Sequence, residues 1–426
     1  MTRRRWSALT GIAIAMALAA APAGAGTSRP ARAKITQAPA APAPPPALRT
    51  VPQGSAVRLD SLRRDKRYRD TFLREFDALT PENEMKMQSL QPRRGVFDFA
   101  AADELVAFAK EHHKQIHGHA LVWGLQVPLW LVDHGLTENL GLHLPPLSVP
   151  PLPLPAPLDT LDTTLGDALT TLTGWKRDEL LGIMRNHIDT VMRHFGSDVP
   201  EWDVVNEPMA ENGALADNVW RRFIGADYIE QALRTAHAAN PRAKLFINEY
   251  AVESPNAKLD GLVRLVRDLK AGGVPLDGVG LQYHTHIQGF VDEATLTQTM
   301  QRLAALGVEV QITEMDVGTT QLSGTPAQRF ARQAVAYGDA ARACNAVTAC
   351  TKFTTWGFTD RVSWLGPAEM GLPFDSQYQP KPAYDAVRGA FAPRVASVLR
   401  HARRLGGVLG SAGRRRVGVG KAPRAP

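Results

Sequence analysis

W-D-V-V-N-E-P (Trp202–Pro208) is an apolar run with two β-branched residues at its centre, closed by Glu207 and a proline. Beyond it comes Y-I-E-Q-A-L-R-T-A-H (Tyr228–His237), whose apolar residues recur at helical spacing. A second strand-like run then occupies residues 245–249. A strand, a helix and a strand in this order make a parallel βαβ unit. The same alternation extends in both directions. Strand-like runs lie near 53–57, 77–80, 116–122, 201–206, 245–249, 278–283, 308–313 and 352–357, and helical patterns such as L-V-A-F-A-K-E-H and E-L-L-G-I-M-R-N-H-I separate most of them. Eight strand–helix units within about 340 residues predict an α/β fold of the (β/α)8 barrel type, a single domain over 49–393.

The flanks differ from this body. Arg3, Arg4 and Arg5, an Ala-rich apolar run and Ala23-Gly24-Ala25 read as a signal peptide over 1–25, the alternative being an N-terminal membrane anchor. Residues 26–48 are an Ala/Pro-rich linker. Residues 394–426 form a basic tail without acidic residues, expected to be disordered apart from a possible helix over 394–409. A Pro-rich insertion at about 135–174 carries seven prolines between Pro145 and Pro157, which excludes a helix or a central strand there.

The formal net charge of +7 belongs to these flanks. The first 48 residues hold six basic residues and the tail nine, so the segment between keeps 34 basic and 42 acidic residues, a net of −8. An acidic body argues against nucleic-acid binding. No internal stretch approaches the roughly 20 apolar residues that a membrane span needs. Cys344 and Cys350 are the two cysteines; their number and spacing suit one disulfide in an oxidising compartment or, failing that, two buried thiols.

Chemistry concentrates at the ends of the strand runs. Glu207 follows one apolar run, and V-Q-I-T-E-M-D places Glu314 similarly on another. In a parallel barrel the C-terminal strand ends open on one face, so the two carboxyls can meet over one cleft. Glycoside hydrolysis needs such a pair, one protonated and one ionised.

Around them stand T-P-E-N-E-M-K (80–86), G-H-A-L-V-W (118–123), L-Q-Y-H (281–284), I-T-E-M-D (312–316), W-G-F-T-D-R-V-S-W (356–364) and F-D-S-Q-Y-Q-P-K-P-A-Y (374–384). With W-D-V-V-N-E-P these motifs, in this order across residues 50–390, resemble family 10 of the glycoside hydrolases, best known for endo-β-1,4-xylanases. The resemblance implies a retaining endo-β-1,4-xylanase with Glu207 as acid/base and Glu314 as nucleophile, and it implies neither cofactor nor metal. Asn206 is then expected to bond the sugar 2-hydroxyl, and Gln282 and His284 to orient Glu314. Glu82, Asn83, Lys86, His119 and Gln126 are expected to bind hydroxyls, and Trp123, Trp356 and Trp364 to offer apolar surface to pyranose rings. A disulfide between Cys344 and Cys350 is common in the family.

Three positions depart from the family pattern. Gly124 replaces a His, Met87 a Trp, and N-E-Y-A (Asn248–Ala251) stands for N-D-Y-N. Gly124 is expected to open space beside the sugar subsites. A polysaccharide is the expected partner, with no nucleic acid and no stable membrane insertion. The chain is expected to be a monomer in a secreted, extracellular or periplasmic, location. Other readings are a related glycosidase acting on another β-glycan or a plant glycoside, and a non-catalytic carbohydrate-binding barrel. His187, on a helical pattern, reads as packing.

Overall fold

The computed structural model describes residues 51–132, 174–321 and 323–392. The segments 1–25, 26–48 and 394–426, and the Pro-rich insertion except Gly174, lie outside the described residues.

The strands are β1 (Gln53–Val57), β2 (Ala78–Pro81), β3 (Gln115–Trp123), β4 (Glu201–Asn206), β5 (Lys244–Glu249), β6 (Gly278–Leu281), β7 (His284–His286), β8 (Glu309–Gly318) and β9 (Cys350–Thr355). All pair in parallel, in the order β6-β5-β4-β3-β2-β1-β9-β8-β7, and an added β6–β8 ladder closes the ring. β6 pairs with residues 309–312 of β8 and β7 with 316–318, so β6 and β7 are two pieces of one barrel position. They are separated because Tyr283 turns to a left-handed φ of 62°. The closed eight-position (β/α)8 barrel is therefore present, with helices filling most connections.

The strand runs are where the apolar pattern puts them, with two informative differences. The run expected over 278–283 breaks after Leu281, for the reason just given. The run expected over 308–313 continues to Gly318, because β7 supplies a new ladder partner. Strands covered on both sides read as continuous apolar runs, and β5 is buried from Leu245 through Glu249.

Local chemistry sets the helix starts. Asp65, Asn218, Asn256 and Asp292 each cap a helix by accepting backbone N–H groups of the first turn. Thr325 and Gln328 form a reciprocal capping box at the start of a helix whose first residue is Pro326. Gly118 allows β3 to pass Trp202 of β4, whose ring stands only 2.3 Å from where a Cβ would lie. No helix among the described residues is long and apolar enough to cross a membrane.

Candidate active site

β4 ends at Asn206, and Glu207 leaves the strand in a left-handed conformation with φ 54°. Its N–H is fixed by the carbonyl of Asn248 on β5 at 2.8 Å. Three donors hold its carboxyl group. Trp123 Nε1 donates to Oε2 at 2.9 Å, while Gln282 Nε2 and Asn206 Nδ2 donate to Oε1 at 3.0 and 3.3 Å.

Glu314 arrives from within β8 rather than from its end, four residues before Gly318. It sits between the β6 and β7 ladders, where its own N–H bonds the Gln282 carbonyl at 3.1 Å. Asn248 Nδ2 donates to Oε1 at 2.6 Å and His284 Nε2 lies 3.2 Å from Oε2. His119 Nδ1 stands 4.0 Å from Oε1.

One amide network joins the two carboxyls. Asn248 Nδ2 also donates to Asn206 Oδ1 at 2.9 Å, and Asn206 Nδ2 reaches Glu207. Thr313 Oγ1 donates to Asn248 Oδ1 at 2.7 Å and so fixes which way that amide points.

The surroundings push the two acids apart. Burial raises the Glu207 pKa, and the Glu314 charge adds to the rise against the Gln282 and Trp123 donors. Burial acts on Glu314 in the same direction, but His119 and the His284 hydrogen bond outweigh it, and its pKa falls below the ordinary carboxylate value. Burial alone would also discharge His284. The Asp316 charge and hydrogen bond, with Glu314, instead raise it well above the ordinary histidine value. An imidazolium therefore donates from Nδ1 to Asp316 Oδ2 at 2.9 Å and from Nε2 to Glu314. Asp316 in turn accepts from Trp364 Nε1 at 2.6 Å.

The remaining expected residues separate into those at the carboxyls and those beyond them. His119 is buried, bonds Asp203 Oδ2 at 2.9 Å, and meets the Trp356 ring edge-on with centroids 5.0 Å apart. Lys86 Nζ lies 5.1 Å from the Trp123 ring centre, 5.8 Å from that of Trp356, and 3.5 Å from Asn83 Oδ1. Glu82 is 3.9 Å from Arg58 Nε. Among the described residues Gln126 makes no hydrogen bond to either carboxyl and its buried Oε1 has no partner; its backbone φ is 47°. His187 is packing, as expected: it is buried, accompanied by Gln91 Oε1 at 3.1 Å and by the Phe97 ring. Cys344 and Cys350 are joined in a disulfide.

Two expectations need correction. Gln282 does not orient Glu314 through its side chain, which serves Glu207 and Asn206; only its backbone carbonyl meets the Glu314 N–H. The split between β6 and β7 swings residue 282 toward β4. Nor does Gly124 leave open space. A Cβ there would meet Asn218 Cβ at 2.9 Å, so Asn218 already fills the room an imidazole would need.

The sequence motifs assign no role to Asn248, Thr313, Asp203 and Asp316, which the fold brings to the two carboxyls and their histidines. A polar residue inside an apolar strand run, as in W-D-V-V and L-F-I-N, is the available sequence signal, since such a group is buried only with a partner.

The model of glycosyl hydrolase family 10 matches residues 48–145 and 164–390, passing over part of the Pro-rich insertion. The chain is 34% identical over 327 residues to endo-1,4-beta-xylanase B of Thermotoga neapolitana, covering 76% of this chain and 83% of that protein. It is 34% identical over 321 residues to endo-1,4-beta-xylanase C of Phanerodontia chrysosporium, covering 74% and 70%. Among solved structures, native xylanase 10B of Thermotoga maritima superposes with a TM-score of 0.68 at 33% identity, covering 80% of this chain and 95% of that one. Xylanase 10B of Thermotoga petrophila, in complex with xylobiose, gives 0.68 at 32%, covering 80% and 94%. The chain belongs to family 10 of the glycosyl hydrolases.

Proposed function

We propose that this chain is a retaining endo-β-1,4-xylanase, with Glu207 as general acid/base and Glu314 as nucleophile. The observation that carries the reading is the divergence of two carboxyls on one hydrogen-bonded network, one pushed toward its protonated form and the other toward its ionised form. Retaining hydrolysis uses that division of labour. In the first step Glu207 gives its proton to the glycosidic oxygen as the Glu314 carboxylate bonds the anomeric carbon, and the aglycone alcohol departs. In the second step Glu207 takes a proton from water, and the resulting hydroxide displaces Glu314 from the sugar. Asn206 and the Trp123–Lys86–Trp356 group supply amide, cationic and apolar surface suited to hydroxyls and ring C–H faces. Xylan as substrate and the internal mode of cleavage rest on the relatives named above.

A 2-fluoro-xylobioside should label Glu314 and no other residue. Proton NMR of early hydrolysis should show the β-anomer first; the α-anomer would exclude retention. A β-glycan panel with analysis of product lengths tests the polymer and the endo mode. Residues 1–25 complete the proposal as a secretion signal, with Gly26 the expected first residue of exported protein on N-terminal sequencing.

A further inference from the structure

Glu249 ends β5 beside Asn248 and is fully buried. Its carboxylate accepts the Met209 N–H on Oε2 at 2.8 Å and the Tyr250 N–H on Oε1 at 3.0 Å. Lys258 Nζ lies 3.1 Å from Oε1. The Lys258 side chain is 1% exposed, and its ammonium also reaches Glu211 Oε1 at 3.0 Å and lies over the Tyr250 ring. None of these groups belongs to the sugar-facing set above.

Their placement concerns the chain at Glu207. A non-glycine residue in the left-handed region is held against a cost of about 1–2 kcal/mol. Pro208 follows and has no N–H. The first backbone donors on either side of the Glu207–Pro208 bond are therefore the N–H groups of Glu207 and Met209. The Asn248 carbonyl takes the first and the Glu249 carboxylate takes the second. Two consecutive residues of β5 thus grip both sides of the turn. The Glu249 carbonyl also accepts from the N–H of Gln282, whose side chain donates to Glu207. Lys258 ties the loop beyond the turn, through Glu211, to the same carboxylate.

We infer that Glu249, backed by Lys258, is a positioning residue that locks the Glu207–Met209 turn and so aims the Glu207 carboxyl at the glycosidic oxygen; this rests on the acid/base role proposed for Glu207. Burial raises the Glu249 pKa and the Glu207 charge adds to the rise, while the Lys258 charge and the Met209 N–H pull it back toward the ionised form. Glu211, Tyr250, Tyr228 and Glu253 are further titratable groups in electrostatic contact with this cluster.

Glu249→Gln keeps the size of the side chain but leaves one acceptor oxygen for two N–H groups. Misplaced proton donation matters only where the leaving group needs a proton. With the active fraction calibrated by 2-fluoro labelling of Glu314, kcat/KM on xylo-oligosaccharides should fall about 10- to 100-fold. On 2,4-dinitrophenyl β-xylobioside it should stay within about threefold. Lys258→Met should give the same pattern at smaller size, and it carries the test if Glu249→Gln does not accumulate folded. Equal losses on both substrates, or loss on neither, overturn the inference. Glu207→Ala is measured alongside: if it too fails to distinguish the substrates, the acid/base role falls, and with it the ground for this one.

Discussion

Ala251 has a φ of 54°, a conformation that glycine and asparagine accept and alanine resists. The sequence pattern marks this position as a departure, because the family has Asn there. Ala251→Asn should therefore raise stability by roughly 0.5–1 kcal/mol, read as a higher urea midpoint at unchanged slope. An unmoved midpoint would show that the left-handed turn carries no strain. Trp123 gives a second test at this scale. Its indole N–H bonds Glu207 and favours the ionised form, pulling the Glu207 pKa down against burial. Trp123→Phe removes that donor, so the alkaline limb of the kcat/KM–pH profile should move to higher pH while the acid limb, set by Glu314, stays in place. A downward shift would contradict this hydrogen bond. The roles of the motif partners were implied only by the family resemblance, whereas the meeting of Glu207 and Glu314 was legible in the sequence, because both stand at apolar strand runs that a parallel barrel opens on one face. The partner of the Gln282 side chain was not, because it depends on a break between β6 and β7 that no local pattern announces.

The helix Pro326–Ala346 and β9 illustrate how elements are joined. Thr325 caps the helix start, its hydroxyl accepting from the Gln328 N–H while the Gln328 side chain returns a bond to the Thr325 N–H. Thr325→Ala should cost about 1 kcal/mol, measured by denaturant unfolding. At the other end the Cys344–Cys350 disulfide links the last turn of this helix to the first residue of β9. Closing so short a loop stabilises by roughly 2–3 kcal/mol on the chain-entropy model. Replacing both cysteines by serine should lower the unfolding free energy by about that amount, and reductant should then have no further effect. The short spacing admitted both a disulfide and two free thiols. The close approach of helix end and strand start removes that ambiguity.

For the molecule as a whole, the buried ion cluster between the strands couples stability to pH. His117 lies 3.0 Å from Asp203 and 3.3 Å from Glu201, and Lys352 pairs with Glu201. Burial works against a charged His117, yet Asp203 and Glu201 raise its pKa to about 9 from 6.5. A folded-state pKa above the unfolded one stabilises fully below the unfolded value and is lost as pH rises through the folded value. Stability from this group should thus hold up to about pH 6.5 and decline as pH passes through about 9. Asp203 and Glu201 act in the opposite sense. Their pKa values are depressed, so their contribution is present above the ordinary carboxylate range and is lost as pH falls through the depressed values. Urea midpoints between pH 6 and 10 should fall toward the alkaline end, and His117→Gln should flatten that fall. A wild-type curve flat across this range would remove His117 from the account.

Read alone, the sequence settles the class of fold and points to Glu207 and Glu314 as the two carboxyls of the cleft. The fold follows from a short-range rule, the apolar period of strand and helix, whereas the acid/base and nucleophile roles are what the family resemblance of the motifs around Glu207 and Glu314 implies. How those carboxyls are tuned follows from contacts that the folded barrel creates. Asn248 and Thr313 orient the amides between them, Asp316 charges the histidine beside Glu314, and Glu249 grips the turn that carries Glu207. The tertiary structure also showed that Asn218 occupies the room beside Gly124, which the missing side chain alone left open. These contacts join residues from different strands and loops, such as Asn248 and Glu314, 66 positions apart. Closure of the barrel creates such pairings, and a pattern read along the chain records only neighbours within a few residues.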